Sequence, residues 1–276
     1  MGDIFNAIIV TPFVNVLMFI YNLIGQNFGI AIILFTILVR LITWPLQAQQ
    51  IKGAKAMTDL QKDKRYIDMQ AKYKGDKEKL AQAQMELYKE MKINPFASCL
   101  PTVIQLPVII GLYQALIMAL ASTNLDLLKL TNHIYPNFIN LSDLIPLNDH
   151  FLWMNLSQPE RWYIPGTEIG IPILTIIVVI TTYAQQKLMT PPTMGGNDQS
   201  AQMTKTMNMY MPLLMGWISF TLAAGLAIYF VVSNLIGIFQ YAMMGQIDWR
   251  NWRNLIPFMG SKPEPQAKKT SLKAKK

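Results

Sequence analysis

The sequence predicts an all-α membrane protein with five transmembrane helices, an N-terminal interfacial helix and a cytoplasmic helical hairpin. Three observations carry that prediction. Of the 276 residues, 52% are hydrophobic and only 14% charged, where an ordinary soluble domain holds roughly 25% charged residues. Several uncharged runs exceed the ~20 residues that an α-helix needs to cross a hydrocarbon core of about 30 Å. Lys and Arg are segregated: eleven fall between Ala48 and Pro95, eight in Arg250–Lys276, and none in residues 1–39. Loops rich in Lys and Arg stay cytoplasmic, so both basic blocks are expected inside and the N-terminus outside. The single cysteine, Cys99, cannot close an internal disulfide, and with two histidines it leaves too few soft ligands for structural zinc. No metal and no cofactor are expected.

Residues 1–26 form the extracytoplasmic N-terminus. The run TPFVNVLMFIYNLI at 11–24 is short for a span and carries Asn15 and Asn22, which predicts a helix lying in the outer interface. A signal peptide is the alternative, but the basic n-region it needs is missing. Residues 27–47 are the first span, interrupted by one charge, Arg40. Residues 48–95 turn charged and helix-prone, with a break at Lys74-Gly75-Asp76 where Asp suits a helix N-cap; an αα-hairpin is expected. A first arm of 27 residues would project about 40 Å at 1.5 Å per residue.

The second span, 96–121, carries Pro101 and Pro107 and should be kinked. The extracytoplasmic loop at 122–167 is rich in Pro, Trp and Tyr, a composition suited to the membrane interface rather than to a separate core. Residues 168–189 are the third span and 190–205 a cytoplasmic loop. Met207 to Met244 is one apolar stretch that would make about 57 Å of helix, nearly twice a bilayer. It must fold as two spans, 206–223 and 225–245, with a tight turn near Leu222 to Gly225. Residues 246–276 are a basic cytoplasmic tail.

Phosphate loops, HExxH zinc sites and GxSxG elbows are all missing from the sequence. Both histidines, His133 and His150, fall in the outer loop and no Asp or Glu lies deep within a span, so no catalytic dyad or triad can be assembled in the membrane. The chain does not read as an enzyme. Arg40 demands an explanation, because an arginine inside a span costs from ~2.5 to over 10 kcal/mol. Snorkelling to the nearer surface is one reading. The company it keeps supplies another: Gln47, Gln105, Gln185, Gln186, Asn208 and Gln240 bring polar groups from all five spans toward the cytoplasmic leaflet, with Gln114, Ser219 and Thr221 as exceptions. Interfacial Gln and Asn are common at helix ends, yet as a set they suit a water-filled groove open to the cytosol, where Arg40 keeps its charge hydrated and meets acidic segments. Methionine, 18 in all, is dense around the third and fourth spans. Most of these suit core filling, while Met194 and Met203 in a polar loop suit a surface that accepts varied apolar sequences.

Asn94-Pro95, Cys99-Leu100-Pro101 and Gln105-Leu106-Pro107, Arg40 in Leu-Val-Arg-Leu, Gln185-Gln186-Lys187-Leu188-Met189, and Tyr229 to Asn234 together resemble the YidC, Oxa and Alb insertases, from about Thr11 to Gln240. Ser98 stands where that family usually has Gly, and the expected form is a minimal core without a large extracytoplasmic domain. The resemblance implies a membrane protein insertase and chaperone in a bacterial cell membrane. Its hairpin receives a nascent segment, and a hydrophilic groove open to cytosol and lipid carries the polar part across. The groove is assigned to Arg40, Gln47, Gln105, Gln185, Gln186, Asn234 and Gln240. Nascent membrane proteins, the ribosome and anionic lipids are the implied partners, with the Sec translocon a further candidate. A small transporter or ion channel is the rival class and a membrane scaffold a third, but no internal repeat of the transporter kind is present.

Overall fold

The computed structural model describes residues 2–73, 75–91, 93, 100–120, 123–135, 139, 144, 147–163, 170–189 and 199–245. The chain is helical from its start: α1 (Gly2–Phe5) passes through a π-helical turn, Asn6–Val10, into α2 (Thr11–Leu23). The wide turn has a local cause. Pro12 brings no N–H to the ladder, and the Thr11 N–H bonds back to the Asn6 carbonyl. Gly25 and Gln26, both at positive φ, turn the chain into α3 (Phe28–Lys62), whose first turn is capped by Asn27 accepting from the Ile30 N–H at 3.1 Å.

α3 runs without interruption past residue 47, so the first span and the beginning of the hairpin's first arm are one helix. It bends by 63° between Phe28–Ile42 and Trp44–Lys62. Pro45 lies just past the bend; it removes a ladder hydrogen bond and crowds the carbonyl one turn back. Asp63, extended at ψ 136°, ends α3 and caps α4 (Lys64–Lys72), accepting from the Arg65 N–H at 2.8 Å. The expected single arm of 27 residues is therefore divided at Asp63. Asp76 caps α5 (Lys77–Glu90) through the Lys79 N–H at 3.1 Å, at the predicted break. Leu60, Tyr66 and Leu87 form a small separate core between the arms, joined by Met69, Tyr88, Met91 and Ile93. The backbone N–H bonds of these two caps hold the Asp63 and Asp76 carboxyls below the usual range, and burial pushes the Tyr88 phenol up.

α6 (Leu100–Leu120) contains Pro107 and meets α7 (Asn124–His133) at 115°. Thr123 caps α7, accepting from the Asp126 N–H and donating to its carboxylate. Two antiparallel ribbons follow: β1 (His150–Phe151) with β2 (Met154–Asn155), and β3 (Trp162–Tyr163) with β4 (Gly170–Ile171). The bundle is completed by α8 (Ile173–Met189), α9 (Gln199–Thr221) and α10 (Ala224–Met243). α9 begins inside the segment expected to be a loop at 190–205. The turn between α9 and α10 falls where the apolar stretch required it.

α10 is the central helix. From Ala224 to Phe230 every residue is buried, the all-round burial of a segment enclosed by others; beyond it Ser233, Asn234, Gly237 and Gln240 are buried while Leu235, Phe239 and Met243 are exposed. It runs parallel to α3, with Arg40 beside Ser233 and Trp44 beside Gln240, and parallel to α8, with Thr181 beside Asn234. α9 runs antiparallel to α8, Thr175 meeting Ser219. Close approach is bought by small residues, as in membrane bundles generally: any side chain at Gly216 would strike Val179, and any at Gly29 would strike the ring of Phe151.

The loop between α6 and α8 caps this bundle and contributes Leu130, Leu144, Met154 and Leu156 to its core. The Leu156 and Gln158 carbonyls accept from the Gly225 and Ala224 N–H groups at 3.2 and 2.8 Å, satisfying donors that the start of α10 leaves open. By length and apolarity Asn6–Leu23 and Ala224–Met243 each suffice to cross a membrane; α3 and the α6–α7 pair reach that standard only as bent pairs, and Ile173–Leu188 is a shorter apolar helix.

Candidate functional site

The polar residues meet where α10 lies between α3 and α8. Arg40 sits about 18 Å into α3 from the loop end and Ser233 about 14 Å into α10, so the cluster begins at mid-bundle and extends toward the hairpin end. The Arg40 Nε donates to Ser233 Oγ at 2.7 Å, and one terminal nitrogen reaches the same oxygen. The other terminal nitrogen donates to Gln47 Oε1 at 2.8 Å. Gln47 is itself fixed, donating to Thr43 Oγ1 at 2.9 Å, and Thr43 donates to the Val39 carbonyl at 2.9 Å. Thus three turns of α3 and one of α10 hold the guanidinium. Every one of these acceptors is uncharged. Among the described residues no carboxylate pairs with Arg40.

Gln240, 1% exposed, donates to the Trp44 carbonyl at 3.2 Å. That carbonyl belongs to the residue immediately before Pro45, three residues before Gln47, at the bend. On the other side of α10, Asn234 donates to Thr181 and Thr182 hydroxyls at 3.1 and 2.8 Å, and the Gln185 amide lies against Gly237, where a Cβ would displace it. Gln186 has a buried side-chain oxygen without a hydrogen-bond partner among the described residues. An acceptor left so costs about 1–3 kcal/mol.

Six of the seven expected groove residues therefore line α10 or the two helices that flank it, in two groups: Arg40, Gln47 and Gln240 on the α3 side, Asn234, Gln185 and Gln186 on the α8 side. The seventh, Gln105, is on α6, and its side chain lies outside the described residues. So do Asn94 to Cys99 of the signature at the entrance to α6, and the basic tail from 246 onward. Sequence reasoning missed Ser233, Thr43, Thr181 and Thr182. A signal for Ser233 exists: Ser233, Gly237 and Gln240 recur at helical spacing within an otherwise apolar stretch.

A family model described as 60Kd inner membrane protein matches residues 19–249. The chain belongs to this family, that of the YidC insertases. Membrane protein insertase YidC of Fusobacterium nucleatum is 34% identical over 236 residues, 80% of this chain and 95% of that protein. YidC 2 of Listeria innocua is 32% identical over 236 residues, covering 84% and 69% of the two chains, and MisCA of Bacillus subtilis, also a membrane protein insertase, is 31% identical over 235 residues, covering 84% and 76%. The crystal structure of an active YidC insertase with its first transmembrane domain resolved superposes with a TM-score of 0.52 at 23% identity, covering 88% of this chain and 45% of that one. The bundle thus has the YidC fold, and the polar seam along α10 lies within the stretch that the family model matches.

Proposed function

We propose that this protein is a membrane protein insertase that moves nascent transmembrane segments from the cytosol into the bilayer along a hydrophilic groove. Insertase activity follows from the family: relatives that align with most of the chain carry that name. The observation that carries the groove reading is Arg40, held at mid-bundle by the neutral oxygens of Ser233 and Gln47 with no carboxylate partner among the described residues. A positive charge so placed attracts acidic side chains in a passing segment. Gln105, Gln185, Gln186, Asn234 and Gln240 supply amides to the polar part of the substrate, and the orphan oxygen of Gln186 is an acceptor ready for such a donor. The substrate helix then leaves for lipid, each Leu or Ile gaining about 0.3 to 0.6 kcal/mol.

In this reading α3, α6, α8, α9 and α10 are the five spans, the α4–α5 hairpin and the basic tail are cytoplasmic, and the loop end faces outward. The N-terminal helix lies along the outer interface. Its contacts support that placement: Asn15 bonds the His133 carbonyl and the Tyr135 N–H, and the Tyr21 hydroxyl accepts from the Asn148 N–H, so both ends of α2 touch the same outer loop. The hairpin and tail serve ribosomes and anionic lipids, and nascent chains arrive directly or by way of the Sec translocon.

Reconstitution into liposomes tests the reading. A single-span substrate added to the purified protein should become protease-protected, while small ions should not cross. Ion flux without insertion would place the protein among channels.

A further inference from the structure

The tip of the β1–β2 ribbon is Leu152 and Trp153, and they are 74% and 50% exposed. Leu152 has φ +56°, in the left-handed region that favours glycine over a bulky residue. A leucine kept where glycine would fit with less strain points to a use for its side chain. Trp153 has one polar group, and its indole N–H donates to Glu160 Oε1 at 3.0 Å. Glu160 is 6% exposed, and its other oxygen accepts from the Leu174 N–H at 3.0 Å. The indole therefore presents an exposed apolar surface with no donor left unmet, which is what entry into an apolar medium requires and what water would not impose.

Height decides what that medium is. Phe151 lies over Gly29 in the first turn of α3, the Leu156 and Gln158 carbonyls cap α10, and Glu160 caps α8. The tip is thus tied to the starts of three helices of the bundle. Two of those helices carry exposed apolar residues of their own within their first two turns, Ile30 and Leu34 on α3, and Ile176 and Ile177 on α8. In a membrane protein such residues face lipid, and Trp is the residue enriched at that depth.

We propose that Leu152 and Trp153 form a wedge seated in the lipid leaflet at the loop end of the bundle, in contact with phospholipid headgroups and upper acyl chains. The placement does not depend on which side of the membrane that end faces, nor on how the groove works. The full-length protein with Trp153 as its sole tryptophan, the others replaced by Phe, is reconstituted in phosphatidylcholine and phosphatidylglycerol vesicles. Acyl chains brominated near the headgroup should remove most of the Trp153 emission, chains brominated near their ends much less, and aqueous iodide little. Quenching by iodide with silence from bromine would overturn the wedge, and so would silence from both, which would mean that protein covers the tip.

Two further variants guard against a misfolded single-tryptophan chain. A nitroxide on Leu152→Cys in a Cys99→Ser background should be more accessible to oxygen than to a water-soluble nickel chelate, and the reverse order overturns the proposal. Leu152→Gly, which relieves the backbone, should leave the thermal midpoint unlowered yet red-shift Trp153 and weaken its shallow quenching. An unchanged depth would remove Leu152 from the wedge.

Discussion

At the scale of single residues, the proposed groove makes Arg40 the residue on which substrate discrimination can be tested. If charge matters more than donor geometry, Arg40→Lys should retain much of the activity and Arg40→Ala should lose it chiefly for substrates with Asp or Glu in the translocated part. A membrane potential positive outside assists such segments by about 2.3 kcal/mol per charge per 100 mV, so the Arg40→Ala defect should deepen when the potential is collapsed. Insertion of matched acidic and neutral single-span substrates at equal protein level checks this; equal insertion of both would remove Arg40 from the mechanism. The clamp around it allows a second test. Gln47→Glu leaves Arg40 in place but gives it a carboxylate, so acidic substrates should suffer while neutral ones insert normally, and an unaltered acidic substrate would show that net charge is not what is read. Arg40, Gln47 and Gln240 were legible in the sequence because charge and amides are rare in spans. Ser233 was not, since a hydroxyl costs an apolar helix little and only the fold shows that it faces Arg40. Gln105 was named from position and motif alone, and the described side chains neither join it to the cluster nor part it.

At the scale of elements, the helix start at Asp76 was legible and the break at Asp63 was not. Asp76 follows a glycine and precedes a helix-forming run, a plain N-cap signal. Asp63 sits among Lys and Arg inside a stretch of good helix formers, and local propensity does not reveal that the chain breaks there. Both cap carboxyls are held below their ordinary pKa, so their stabilisation is complete above the unfolded value of about 3.9 and is lost as pH falls through the lower folded value. Amide exchange at Lys79 should therefore accelerate below that value, and Asp76→Asn, which keeps a cap acceptor, should abolish the dependence. The helix contacts make an opposite pair of predictions at two glycines. Gly216→Val meets the branched side chain of Val179 and should cost about 1–3 kcal/mol, read as a lower thermal midpoint. The nearest atoms that Gly237→Ala meets are those of the flexible Gln185 side chain, so it should keep stability and impair insertion.

At the scale of the molecule, membrane character and the turn between the last two helices followed from length, apolar runs and charge segregation. The packing of the outer loop into the bundle did not. Its aromatic composition suits an interface, whereas its role in capping α8 and α10 depends on backbone carbonyls and one glutamate that no pattern marks. Orientation is testable as a whole: a cysteine at Gly75 should be labelled only from the cytoplasmic side, and labelling from outside would invert the arrangement. Truncation after Gly260 should weaken ribosome co-sedimentation most at low salt, as expected of a dense basic tail; no change would leave the tail a topological anchor. The continuity of α3 reaches furthest. Because one helix carries both Arg40 and the base of the hairpin, with Pro45 as the joint between them, it is a lever with its fulcrum at the bend. Any displacement of the helix beyond Pro45 is therefore felt first at the Trp44 carbonyl, where the hydrogen bond from Gln240 must stretch or break.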